Sequence, residues 1–210
     1  MLIDSVERGA SGTAKIAAGG FSFLLRLSYL AELGLDPAAL AKGRELDETE
    51  AGLLSLAADA TEAERQAVAL LARAEQTRAG LFAKLEKKGR SRRAASLALD
   101  RLAGEGLLDD RRFAEAWLRS RLGRLASRAA EGPLRLSQGL RARGVDEETA
   151  RAALASVLGP DERKLALAKA ASRESAKLGS DREALGRRLR ALGFKSGEIR
   201  SFFEEEGPGD

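Results

Sequence analysis

Asp109 and Asp110 stand side by side, followed at once by Arg111 and Arg112, and Asp146, Glu147 and Glu148 form a second acidic cluster. Adjacent carboxylates are the raw material of a metal site or of general acid/base catalysis. A metal needs further carboxylates converging from one face, and the sequence offers no such row. Both clusters have a simpler reading. Asp146, Glu147 and Glu148 fall in a helix first turn, where negative charge complements the macrodipole. With Asp109 as N-cap, Leu108 becomes N′ and Phe113 becomes N4, the spacing of a hydrophobic staple. Phe113 and Trp117 then lie one turn apart and are expected to enter a core. No catalytic residue and no metal ligand is assigned.

The sequence has no cysteine and no histidine. That removes disulfides, thiolate sites, cysteine nucleophiles and the commonest general base and metal ligand. The phosphate-loop pattern G-x-x-x-x-G-K-[ST] is absent, and Gly104-Glu105-Gly106 follows a helical stretch rather than a strand, so no nucleotide cofactor is expected.

The basic residues are more suggestive. The net charge of +4 hides an asymmetry: residues 1–80 carry 8 Lys and Arg against 12 Asp and Glu, residues 81–200 carry 28 against 16, and the last ten carry none against 4. Lys84, Lys87, Lys88, Arg90, Arg92 and Arg93 gather at one helix–helix corner. Arg135, Arg141 and Arg143 gather at a second, and Arg187, Arg188, Arg190 and Lys195 at a third; Arg111, Arg112, Arg119 and Arg121 line the helix that follows Asp110. Singly, each suits a solvated helix face. Recurring as a set, they suit a phosphate backbone or an acidic polymer.

The elements that hold these corners repeat. "LFAKLEKKGRS", "LSQGLRARGVD" and "LGRRLRALGFKS" share Leu, four residues to Leu, four more to Gly: Leu81/Leu85/Gly89, Leu136/Leu140/Gly144 and Leu185/Leu189/Gly193. The leucine pair makes one buried stripe on a short helix, and the glycine ends it in the left-handed conformation. Ser91, Asp146 and Ser196 are placed to cap the next helix, whose apolar positions include Ala95 and Leu99, Ala150 and Leu154, and Ile199 and Phe203. A further helix precedes each pair: one opened by Thr61, one by Asp109, one by Pro160 and Asp161.

The fold class expected is therefore mainly all-α: three tandem three-helix repeats over 61–108, 109–159 and 160–205, forming a curved, elongated molecule. Residues 1–60 form a separate segment, with a short β-hairpin turning at Gly19-Gly20 in "GTAKIAAGGFSFLL" and short helices, the last capped by Asp47. The tail, 206–210, is acidic and expected to be disordered. The amino terminus lacks the build of a signal peptide, and no stretch approaches the ~20 apolar residues of a membrane span. A cytoplasmic location with no membrane partner is expected.

These residues together resemble the RecX family of regulatory proteins that bind RecA recombinase, over about residues 61–205 and more loosely before. The most specific part is "GLLDDRRFAEAWLRSR", similar to the family's pattern through Gly106, Asp109, Asp110, Phe113, Ala114 and Trp117. "EGPLRLSQGLRARGV" follows, with Gly132, Pro133, Leu136, Leu140 and Gly144. The chain departs from the family where Gly139 replaces a common Glu before the second leucine, and where "LGRLASRAA" lengthens the link to Gly132. The resemblance implies a non-enzymatic modulator, an inhibitor of RecA. It would dock as a monomer in the groove of the RecA–DNA filament and limit filament growth, strand exchange, ATP hydrolysis and co-protease activity, with a place in recombination, DNA repair and the SOS response. Single- and double-stranded DNA would be bound weakly and without sequence preference. The alternative is a free-standing, helix-turn-helix-like DNA-binding regulator, but no unit offers the Asn, Gln and Arg cluster of a base-reading helix.

Overall fold

The computed structural model describes residues 1–123, 132–179 and 181–205. The chain divides into two compact units, Met1–Asp109 and Asp110–Asp210. Ten α-helices and one three-stranded sheet occupy the described residues.

The first unit opens with β1 (Ile3–Arg8), β2 (Thr13–Ala18) and β3 (Phe21–Arg26), an antiparallel sheet in the order β1-β2-β3. The turn between β2 and β3 is Gly19-Gly20, both at positive φ (55° and 80°), as the sequence suggested. Strand β1 is the addition. Its alternation is masked by Asp4, Ser5, Glu7 and Arg8, and Ile3 alone of its residues is fully buried. Helix α1 (Leu27–Glu32) follows directly.

Helix α2 runs without a break from Glu48 to Leu71. Asp47 caps it, accepting the Glu50 N–H while Glu50 takes back the Asp47 N–H, a full capping box. The helix start expected at Thr61 is therefore not there. Thr61 sits mid-helix, its hydroxyl donating to the Ala57 carbonyl (2.8 Å) and accepting the Arg26 N–H (2.8 Å) at the end of β3. A residue that reads locally as a cap is held in place by a tertiary contact. The first half of α2 packs Leu54, Ala57 and Ala60 against Ile3, Ile16, Leu25 and Leu30. The second half packs Ala63 and Ala67 against α3 (Arg78–Lys87) and α4 (Arg92–Gly104), through Leu81, Leu85, Ala95 and Leu99.

The second unit contains α5 (Asp110–Gly123), α6 (Pro133–Arg141), α7 (Glu147–Val157), α8 (Pro160–Leu178), α9 (Arg182–Ala191) and α10 (Ser196–Glu205). Leu136, Leu140, Ala150 and Ala153 form the core of α5–α7 with Ala114 and Leu118. Leu167, Leu185, Leu189 and Ile199 form that of α8–α10. The three repeated glycines do what their spacing predicts: Gly89, Gly144 and Gly193 have φ of 82°, 83° and 91°. Ser91 and Asp146 accept N–H groups of the helices that follow, at Ala94 and Thr149. The third corner differs. Ser196 is the first residue of α10, not its cap. Lys195 takes the cap position, and Glu198 in the first turn accepts its N–H (2.7 Å), the reciprocal half of a capping box, while also holding Arg163 of α8.

The two repeats of the second unit meet at a glycine joint. The Leu134 N–H at the start of α6 donates to the Leu192 carbonyl at the end of α9 (3.1 Å). A Cβ on Gly132 would lie 2.2 Å from that carbonyl oxygen, and one on Gly193 would lie 2.7 Å from Leu134 N. Backbone touches backbone there because neither glycine carries a side chain.

In the opening acidic-aromatic stretch helix α5 begins at Asp110, which puts Asp109 in the N-cap position expected of it. The apolar residues around it need one correction. Leu108 is buried in the α2–α4 cluster, while Phe113 and Trp117 are half-buried at the margin of the α5–α7 core, whose centre belongs to Ala114 and Leu118. Trp117 is held between neighbours: Arg143 stacks on its ring at 4.8 Å and Arg121 at 6.0 Å. The residue below the ring is Gly139, where a Cβ would stand 2.7 Å from Trp117 Cη2. Gly139 is thus the counterpart of a bulky Trp117, and the Arg143 guanidinium closes the group by donating to the Gly139 carbonyl (2.7 Å). Gly139→Ala is expected to destabilise by about 1 kcal/mol in the native background, although alanine is the better helix former by about that amount. In a Trp117→Leu background the same substitution should stabilise. Urea unfolding of the four proteins reads the sign reversal, and equal effects in both backgrounds would break the pairing.

The link at 122–131 lies largely, and the tail at 206–210 wholly, outside the described residues.

Candidate nucleoprotein-binding surface

Among the described residues no group of three or more carboxylates is placed to hold a metal ion, and no helix is long and apolar enough to cross a membrane. What the repeats present instead is cations, and the structure sorts them.

At the first corner, Lys84, Lys87 and Lys88 leave the last turn of α3 and Arg92 and Arg93 enter α4, all exposed. Lys84 meets the Gln76 side chain, and Arg92 lies over the Phe82 ring at 5.4 Å with Glu86 at 3.5 Å. Arg90 turns the other way and binds Asp59 of α2 at 2.7 Å. Asp59 also accepts from the Ser91 N–H (3.0 Å) and hydroxyl (2.8 Å), so one α2 carboxylate fixes the whole turn.

On α5, Arg111 and Arg119 flank Glu115 at 3.3 and 2.9 Å, and these two guanidinium groups hold its carboxyl below the usual carboxylate range. Arg112 is exposed on the same helix. At the second corner Arg135 is exposed, Arg141 stands 3.9 Å from Glu147, and Arg143 is engaged with Trp117 and Gly139. The Asp146 carboxyl is depressed chiefly by its bond from the Thr149 side chain, the signature of a cap rather than of an acid catalyst.

At the third corner Arg188 reaches Glu174 of α8 at 3.0 Å, and Lys177 holds the other oxygen at 2.9 Å. Glu174 is buried, and the two cations, Lys177 foremost, keep it ionised by lowering its pKa. Arg187 pairs with Glu183. Arg190 is exposed at the rim of a groove of about 600 Å³ between α9 and α10, which Arg182, Arg200 and Phe203 also line. Arg182 lies over the Phe203 ring at 4.9 Å.

The residues that sequence reasoning missed are those that brace the first corner from within its unit. Glu64, buried mid-α2, accepts two bonds from Arg26 Nε (both 2.9 Å) and one from the Tyr29 hydroxyl (2.8 Å), with Arg101 Nε at 3.8 Å. Burial, and then the Glu64 carboxylate, push the Tyr29 phenol well above its usual pKa. Glu64 has no helical neighbour to advertise this role; its partners come from β3, α1 and α4.

Three-helix modules, each with a glycine-ended second helix, define a tandem-repeat helical fold. Comparison with known proteins makes it particular. Residues 109–154 match the model of the RecX second three-helix domain. Over 93 residues the chain is 46% identical to the regulatory protein RecX of Halorhodospira halophila, covering 44% of this chain and 55% of that one. Over 88 residues it is 41% identical to RecX of Mycobacterium leprae, covering 42% and 49%. The matched part thus spans about half the length of these curated relatives. A crystal structure of regulatory protein RecX superposes with a TM-score of 0.68 at 22% identity, over 96% of this chain and 98% of that one, and shows the same fold. A second, RecX from Lactobacillus salivarius, gives 0.59 at 19% identity over 70% and 96%. The chain is thus similar to RecX regulatory proteins in its second three-helix domain and shares their fold.

Proposed function

We propose that this chain is a non-enzymatic modulator of RecA recombinase that binds the RecA–DNA filament in its groove. Its three modules, α2–α4, α5–α7 and α8–α10, act as successive docking units on neighbouring filament subunits. Occupying the groove limits filament growth, and with it strand exchange, ATP hydrolysis and co-protease activity. The observation that carries this reading is the recurrence of one turn, a left-handed glycine followed by a new helix, at three places rich in exposed Lys and Arg, in a chain similar to RecX regulatory proteins. Repetition suits a polymeric partner, and cations suit one that carries nucleic acid.

The test is RecA ATP hydrolysis on single-stranded DNA with substoichiometric amounts of this protein. The rate is expected to fall at ratios well below one protein per RecA. No change at any ratio defeats the proposal, and a sequence-specific footprint on naked DNA at physiological salt would put a helix-turn-helix regulator in its place.

A further inference from the structure

We propose that the α3–α4 turn is the corner that contacts the phosphodiester backbone of nucleic acid, sequence-neutrally, while the α6–α7 and α9–α10 turns hold their own repeats and meet protein. The inference rests on the functional reading only in that a nucleoprotein filament presents such a backbone. Its basis is how many cations each turn has left to offer.

At the α3–α4 turn, Lys87, Lys88 and Arg93 are exposed and have no ion-pair partner among the described residues. Lys84 is bound only to a neutral amide, and Glu86 is the one carboxylate on the turn, 3.5 Å from an Arg92 that remains 80% exposed. Five outward cations therefore face a single acid. They are also mounted on a fixed frame, because Gly89 sets the reversal (φ 82°) and Asp59 holds both Arg90 and Ser91 from behind. Turning Arg90 inward costs the corner one charge and makes it rigid, so less side-chain and loop entropy is lost when phosphates dock.

The other turns have more of their cations engaged. Arg143 is bound to Trp117 and to the Gly139 carbonyl, and Arg141, itself exposed, has Glu147 at 3.9 Å. Arg188 is bound to the buried Glu174, and Arg187 to Glu183. On α6, α9 and their turns, Arg135, Arg182, Arg190 and Lys195 have no ion-pair partner among the described residues; Arg182 is engaged with the Phe203 ring and carbonyl, and the other three are spread over two repeats. Residues 81–95 hold no Asn or Gln, Gln76 beside the corner is engaged by Lys84, and the aromatic ring there, Phe82, is covered by Arg92. Contacts there go to phosphate, which positions without reading sequence.

The experiment is a fluorescence-anisotropy titration of labelled oligothymidylate with the full chain across a range of salt concentrations. Each phosphate contact on single strands contributes about 0.7 to the slope of log K against log salt. Substituting Lys87→Gln, Lys88→Gln and Arg93→Gln together is expected to weaken binding and lower the slope by about two. The pair Arg135→Gln and Arg190→Gln should leave the slope unchanged. An unchanged slope in the triple variant overturns the proposal, as does an equal or larger fall in the double variant. RecA ATP hydrolysis, run in parallel, separates the two readings. A slope that falls as expected with no effect of the native chain on RecA keeps the corner and rejects the modulator. A native chain that slows RecA, with a triple variant that loses this effect at unchanged slope, keeps the modulator and assigns the corner to protein.

Discussion

Gly132→Ala is expected to destabilise the second unit by about 3 kcal/mol or more, the upper range for overpacking. The added Cβ meets the Leu192 carbonyl oxygen, 2.2 Å away, and that oxygen accepts the Leu134 N–H. Neither atom is the free end of a side chain, so the start of α6 must part from the end of α9, and the hydrogen bond between them goes with it. Gly193→Ala should cost as much, because its Cβ would crowd Leu134 N and its φ of 91° is strained for any residue with a side chain. Once one substitution has opened the joint, the other has less to break. The double variant should therefore cost clearly less than the sum of the singles. Gly197→Ala, where a Cβ meets nothing within 4 Å, serves as the control and should be near neutral. Urea unfolding followed by far-ultraviolet circular dichroism measures all four; full additivity would mean that the two glycines do not share a contact.

The second large effect lies in the other unit. Glu64→Ala should cost about 3–5 kcal/mol, the usual penalty for removing one partner of a buried ion pair. Arg26 loses a two-pronged acceptor, Tyr29 loses the acceptor of its hydroxyl, and Arg101 loses a nearby charge. Arg65→Ala on the same helix is the comparison. Arg65 is 72% exposed and pairs with Glu62 one turn away, so its loss should be close to neutral. Unfolding free energies that do not separate these two variants would show the Glu64 cluster to be as well hydrated as a surface pair.

Both positions mark what could and could not be read from the chain. The repeated turns were legible because each is local: Leu85, Gly89 and Ser91 lie within one helix end and one helix start, and capping chemistry depends on neighbours in sequence. The hairpin at Gly19-Gly20 was legible for the same reason. Thr61 misled because a threonine before a run of good helix formers looks like a cap, whereas its hydroxyl answers Arg26, 35 positions away. Ser196 misled because the helix starts one residue earlier, with Lys195 at the cap position and Glu198 bound back to its N–H. The sorting of cations was out of reach altogether. Arg90 and Lys88 are alike in sequence terms, and only Asp59, one helix earlier, decides that the first turns inward. Gly139 was visible as a departure from the family pattern, but its reason, the Trp117 ring, required the packing of α5 on α6.

Helix α2 carries the last consequence. Its early residues belong to the core under the sheet and its later ones to the core of α3 and α4, with no break between them at residue 60. A boundary drawn there on repeat periodicity would cut a continuous rod of 24 residues, about 36 Å long, near its middle. The two cores therefore share one cooperative transition. Opening of the sheet frees the first half of the rod, up to the middle where Asp59 is mounted, and the local stability of the amino-terminal strands becomes a quantity that sets how long the cationic turn, far along the chain, keeps its shape.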